Sequence, residues 1–223
     1  VRNTFFTSDT HFLHRNIIKY CSRPFVDECY PDTDERHFMV KEMNEKLISN
    51  WNAVVKPNDV VYHLGDFSYT GPLHRAIQCR MSLNGEIHLI EGNHDQHALE
   101  IQKLNPWLQY GVPFKSVERL SEVTIDNQRI IMCHFALREW HHCLRGTWHI
   151  FGHTHATLRP FGKSVDVGVD NCGEIVSGAS FRPIHYDELK VFMDAQPIGP
   201  HPCFEHYRPG HPELNAKSYT EVS

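Results

Sequence analysis

The sequence predicts an α/β (α+β) fold in which two packed sheets carry helices on their outer sides. Three observations predict it. Short apolar, β-rich runs alternate with helical stripes through the first half of the chain. Antiparallel character follows, with strand-like runs at 112–117, 123–125 and 129–133 and an Asp126-Asn127 hairpin turn. A length of 223 residues, with 40% hydrophobic and 22% charged content, suits one substantial soluble domain with its own core.

The elements follow in order. Thr4-Phe5-Phe6-Thr7 reads as a short central strand. Ile17, Ile18 and Tyr20 can pack as one helical turn that holds down the next loop. The strongest helix spans 34–54, where Met39, Met43, Leu47, Trp51 and Val54 recur at spacings of three or four; Asp32 and Glu35 resemble a capping box before it. A strand over 59–64, a helix over 72–83, an Asn84-Gly85 turn and a strand over 87–90 come next. A helix over 97–110, ended by Asn105-Pro106, leads into the antiparallel half. Apolar runs at 148–151 and 164–169 read as strands, and 183–195 as a last strand or helix. One domain over 1–195 is expected. The tail 196–223 holds five of the 13 prolines and is expected to lack regular structure.

The chemistry lies just beyond five apolar runs: Asp9-Thr10-His11, Gly65-Asp66, Gly92-Asn93-His94-Asp95, His134, and Gly152-His153-Thr154-His155. Strand ends are where open α/β sheets keep their active sites. An extended backbone would turn Asp9 and His11 to one side. Asp66 is the candidate for a carboxylate shared by two cations about 3.5–4 Å apart, the separation of two-metal hydrolysis. Asn93 offers a neutral oxygen ligand. His94, its neighbour, can face substrate and protonate a leaving group, with Asp95 orienting it. A lone His134 is by itself more often structural, and only its place in the series makes it a ligand candidate.

In this order the segments resemble the calcineurin-like metallophosphoesterase superfamily, whose pattern is D-x-H, G-D, G-N-H-D or G-N-H-E, a lone H, and G-H-x-H. The resemblance covers roughly residues 4–170. It implies a four-layer αββα sandwich of two mixed sheets flanked by helices, and a binuclear site. Asp66, Asn93, His134 and His153 would hold one metal, and Asp9, His11, Asp66 and His155 the other. A softer resemblance, in the spacing around 12–25 and 140–148, is to a small stand-alone phosphoesterase branch of bacteria and their viruses.

The expected function is therefore metal-dependent hydrolysis of phosphomono- or phosphodiesters. A hydroxide bridging two divalent transition metal ions attacks phosphorus, and His94 assists the leaving group. Both ligand sets mix nitrogen and oxygen without thiolate, which suits manganese (Mn²⁺) first, with Fe, Zn²⁺ or Ni²⁺ as alternatives, over Ca²⁺. His14, Arg15 and Asn16 near the first ligands, and His142 and Arg145 before the last, are candidates for substrate contact; the alternatives are solvated loop residues and helix caps. His141 fits either reading. Asp166 and Asp170 are candidates for orienting the ligating histidines. The expected substrate is a phosphoester, with a nucleotide as one candidate. Alternatives are a nuclease or cyclic-nucleotide phosphodiesterase of the same fold, or a non-catalytic protein-binding scaffold.

Composition narrows the classes further. A net charge of −5 gives no strong signal for duplex nucleic acid. No stretch approaches the ~20 apolar residues of a membrane helix, and no secretory signal is seen. Seven scattered cysteines without a C-x-x-C pair point to reduced thiols in a cytoplasmic setting. The 18 histidines suit a transition-metal enzyme. The sequence leaves the oligomeric state open.

Overall fold

The computed structural model describes residues 2–26, 39–104 and 114–198. The expected capping box at 32–35, the helix end at 105–106 and the tail beyond 198 lie outside the described residues.

Strands β1 (Thr4–Thr7), β2 (Val60–His63), β3 (Glu86–Ile90) and β4 (Ser116–Glu118) run parallel, and β9 (Ile184–His185) joins antiparallel to β1. They make one mixed sheet of order β4-β3-β2-β1-β9. The second mixed sheet has the order β5-β6-β7-β8: a hairpin of β5 (Leu120–Ile125) and β6 (Gln128–Cys133), then β7 (Trp148–Phe151) and β8 (Ser164–Asp166) in parallel. The Asp126-Asn127 turn has both residues at positive φ, 47° and 65°, as a two-residue hairpin whose twist matches its strands requires.

Two cores follow from strand alternation. Phe5, Val61, Ile87 and Leu89 turn to the helical side of the first sheet. There they meet Ile17 and Ile18 of α1 (Arg15–Tyr20), Met43, Leu47 and Trp51 of α2 (Val40–Val54), Ala76 and Cys79 of α3 (Leu73–Met81), and Ala98 and Ile101 of α4 (Gln96–Leu104). The intervening Phe6, Leu64 and Ile90 turn the other way and pack with Ile130, Met132, Trp148, Ile150 and Val165 of the second sheet. Burial of these side chains contributes about 1.5–3 kcal/mol each. This is the expected pair of mixed sheets with flanking helices, and the helices are shared unequally. α5 (Cys172–Ile175) and α6 (Tyr186–Asp194) join the core between the sheets through Cys172, Ile175, Leu189 and Met193. The stretch expected as a last strand or helix contains both, β9 and α6, joined by a capping box of His185 and Glu188.

On the outer side of the second sheet, the return segment 135–147 packs on His149. This fully buried ring accepts the Leu137 amide on Nε2 at 3.0 Å, lies 3.2 Å by Nδ1 from the Ile131 carbonyl and packs against Trp140. Burial pushes its imidazole down to about 4. The native state therefore holds it neutral where an unfolded chain takes a proton at its ordinary value near 6.5. Its stabilisation is complete above that value and is lost as pH falls towards 4, at up to about 1.4 kcal/mol per pH unit. Denaturant titrations from pH 7 to 4.5 should show this slope in the wild type and a shallower one in His149→Gln. Equal slopes would refute the assignment. Among the described residues, no helix is long and apolar enough to cross a membrane.

Candidate metal centre

Five turns meet at the carboxyl ends of β1, β2, β3, β6 and β7, neighbours within their parallel runs. Three hydrogen bonds join the sheets there. His134 Nδ1 lies 2.7 Å from the Leu64 carbonyl, the His153 amide donates to Asp9 Oδ2 at 2.9 Å, and the Val169 amide donates to the Ser8 carbonyl at 3.0 Å. The turns are tight. A Cβ on Gly92 would strike the Asp66 carboxylate, and one on Gly152 would strike Ser8 and Asp9.

The backbone of these turns corrects the extended-strand expectation. Asp9, His11, Asp66, His153 and His155 all have positive φ, between 46° and 66°. Such left-handed conformations in non-glycine residues cost energy and cluster at functional sites. Asp9 and His11 thus converge through kinked turns, not through strand periodicity.

Two groups of ligand atoms result, each within 4.8 Å of one another: Asp9, His11 and His155, and Asp66, His134 and His153. In the first, Asp9 Oδ1 lies 3.9 Å from His11 Nε2 and 3.8 Å from His155 Nε2. Asp9 Oδ1 and both His11 nitrogens are buried without a hydrogen-bond partner among the described residues. Burial drives the Asp9 carboxyl well above its ordinary range and the His11 imidazole well below its own. Orphaned acceptors this deep are costly unless something positive satisfies them.

The second group shows the same need. A nitrogen facing a carbonyl must carry the proton, so His134 Nδ1–H donates to Leu64 and Nε2 is left as a lone pair. That lone pair faces Asn93 Oδ1 at 3.1 Å and Asp66 Oδ1 at 3.6 Å, acceptors all. Asp66 links the groups: its Oδ2 lies 3.4 Å from His11 Nε2 while Oδ1 faces His134 and accepts the His94 amide at 2.8 Å. The residues therefore fit divalent cations on mixed nitrogen and oxygen donors.

Behind the first group stands a residue that the sequence reading missed. Arg23, fully buried, grips both oxygens of Asp170 at 2.8 Å through Nε and Nη2, and donates to the carbonyls of Asp9 at 2.7 Å and Thr10 at 3.1 Å. Asp170 in turn accepts from His155 Nδ1 at 2.8 Å, so Nε2 is turned to Asp9. This carboxylate–histidine pairing orients and strengthens metal-binding imidazoles. Burial opposes charge on His155, but Asp170, Cys21 and Asp9 raise it to about 10, so a cation arriving there displaces a proton. Cys21, His155 and Asp170 also form a ligand-like trio. Both Asp170 oxygens are already engaged by Arg23, so the trio supports His155 and is not a further cation seat. Nothing in Ser22-Arg23-Pro24 marks this role in the sequence.

Other candidates fall as follows. The Asp95 carboxylate accepts three backbone amides, from Gly92 at 2.7 Å, Phe67 at 2.8 Å and Asp66 at 2.9 Å. It fixes the ligand turns to one another; the expected bond to the His94 ring is replaced by these. The Asp166 carboxylate likewise braces the 152–156 turn, through the Thr154 hydroxyl at 2.5 Å and the Ala156 amide at 3.1 Å. His14 lies inside the cleft with its ring 5.3 Å from that of His11, and Asn16 is exposed on α1. His142 and Arg145 are elsewhere. Trp148, just after them, pairs with Ile130 at the amino end of the parallel strands, and His142 Nδ1 lies 3.0 Å from Arg129 near the same end. At about 3.3 Å per residue, four to five residues of strand separate them from His134 and His153, about 15 Å. The return segment 135–147 carries them to that end of the sheet, and the structure does not bring them to the two histidine groups. His141 shares that site beside Glu122.

With this geometry in view, the model of the calcineurin-like phosphoesterase family matches residues 3–149. The chain belongs to the calcineurin-like phosphoesterase family. The matched stretch carries Asp9, His11, Asp66, Asn93 and His134; His153 and His155 lie past its end and join the site through β7. An uncharacterized protein of Methanocaldococcus jannaschii is 34% identical, over 87% of this chain and 93% of its own. The gene 66 protein of Mycobacterium phage L5 is 26% identical, over 78% of this chain and 90% of its own. A solved protein of unknown function from Aquifex aeolicus shares the fold with a TM-score of 0.57 at 20% identity, covering 86% of this chain and 99% of its own.

Proposed function

We propose that this phosphoesterase hydrolyses phosphate esters with two divalent transition metal ions, manganese foremost, and that His94 protonates the leaving group. The observation that carries the reading is the Asp66 carboxylate, with one oxygen turned to each histidine group. When bound, the ions would supply Lewis-acid polarisation of the phosphoryl group and a water of lowered pKa. Asp9, His11 and His155 would hold one ion, and Asn93, His134 and His153 the other, with Asp66 common to both. The chain's own part is placement. Leu64 and Asp170 set the tautomers of His134 and His155, and Asp95 ties the Asp66 and Gly92 turns together. His94, next to Asn93, keeps its amide on Asp66 and its ring beside His11, a place from which it can reach an ester oxygen.

The test is turnover of paired chromogenic phosphomonoester and phosphodiester substrates by chelator-stripped protein refilled with Mn²⁺, Ni²⁺, Zn²⁺ or Mg²⁺. Metal-restored turnover is expected, and the substrate ratio assigns mono- or diesterase action. His94→Ala should lower it by about 10²–10⁴-fold on unactivated leaving groups. Protein that neither binds metal nor turns over either substrate would point to the scaffold reading.

A further inference from the structure

The imidazole of His94 has no hydrogen bond among the described residues; its amide, not its ring, meets Asp66. A proton donor must nonetheless be aimed, because a displacement near 1 Å costs about 10²-fold in rate. What touches the ring is aromatic. Tyr69 lies 4.4 Å away, centroid to centroid, tilted 57°, and its ring also meets that of His14 at 4.7 Å in an edge-on geometry. His14 is buried, and burial pushes its imidazole down to about 4.

The wedge is anchored at its backbone. The Tyr69 amide donates to the Phe12 carbonyl at 3.1 Å, beside the Phe12–Ser68 bridge, so its backbone is fixed to the turn that follows Asp9 and His11. Its ring occupies the space between that turn and the Gly92 turn.

We propose that Tyr69 is the positioning residue for His94, acting through the face of its ring and not through its hydroxyl. The inference rests on the reading of His94 as the leaving-group acid. It predicts a particular kinetic signature: loss of the ring harms esters with basic leaving groups, which need the proton, and spares activated ones, which do not.

The experiment uses Mn²⁺-loaded protein and a series of aryl phosphoesters whose phenols range from strongly to weakly acidic, with kcat/KM plotted against leaving-group pKa. Tyr69→Ala should stay near wild type with the nitrophenyl ester and fall by about 10–10²-fold with the phenyl ester. Tyr69→Phe should restore the wild-type slope. Tyr69→Ala combined with His94→Ala should be no slower than His94→Ala alone, since a positioning residue has nothing left to position. Tyr69→Leu, which keeps bulk, runs the same comparison if the alanine variant folds poorly; it too should steepen the slope. A loss uniform across the series, or one that persists in the His94→Ala background, would overturn the role of Tyr69 alone. A His94→Ala slope equal to wild type would instead overturn the acid role of His94, and this inference with it.

Discussion

Asp66→Asn is expected to lower metal-restored turnover by about 10³-fold or more while leaving the fold at least as stable. The change keeps size and shape but replaces one oxygen by an amide that points hydrogens where a lone pair is needed. Whichever way the new amide turns, either the His11 side at 3.4 Å or the His134 side at 3.6 Å loses its carboxylate oxygen. A single preorganised electrostatic contact is worth about 10²–10³ in rate, and here one residue serves both groups. Stability should move the other way. Asp66 adds to the repulsion that raises two buried carboxyls: for Asp95 it stands next to desolvation among the raising influences, and for Asp9 it follows desolvation and Asp166. Removing its charge relieves that repulsion. Metal analysis and thermal melts on metal-free protein check both halves. A variant with two tightly held ions and more than a tenth of wild-type turnover would sink the shared-ligand assignment.

That opposition explains why the site was so legible in sequence and its surroundings were not. Asp9, His11, Asp66, Asn93, His134, His153 and His155 each follow an apolar run, and parallel strands deliver run ends to one edge, so order alone brought them together. The change to hairpin character after the α/β half foretold two sheets, and the structure adds that Phe5 and Phe6, and Leu89 and Ile90, turn to opposite cores. The placement of His142 and Arg145 was not legible, because sequence proximity to Gly152 says nothing about direction. They precede β7 and so lie at its start, whereas the candidate ligands His153 and His155 lie beyond its end. The left-handed backbone of five candidate ligand positions was equally hidden: Asp and His enter that region more readily than most residues, but nothing in the sequence says which of them do. Tyr69 and Arg23 act only through partners distant in sequence: Asp170 is 147 residues from Arg23. Length and spacing therefore reported the inner ring of the site, and only packing reports what holds it.

Arg23→Met is the sharpest test of that outer layer, with an expected loss of about 3–5 kcal/mol in stability. The guanidinium is fully buried and supplies two bonds to Asp170 and two to backbone carbonyls. Met fills similar volume, so the loss reports electrostatics more than a cavity. Without Arg23, Asp170 keeps only His155 as a charged partner among the described residues, and burial, which already works against its charge, would raise its carboxyl. A protonated Asp170 no longer fixes the His155 tautomer, so affinity at the first metal group should weaken by about 10–100-fold. Arg23→Lys should recover little, because an ammonium cannot grip both oxygens and two carbonyls from one plane. The double variant Arg23→Met with Asp170→Asn separates the two effects. It removes the stranded charge, so most of the stability should return, while the metal affinity stays low because His155 has lost its carboxylate. Denaturant melts paired with metal titrations read both quantities. Stability and affinity recovering together would mean that Arg23 serves folding alone, and a single variant within about 1 kcal/mol of wild type would mean that water or another donor already satisfies Asp170.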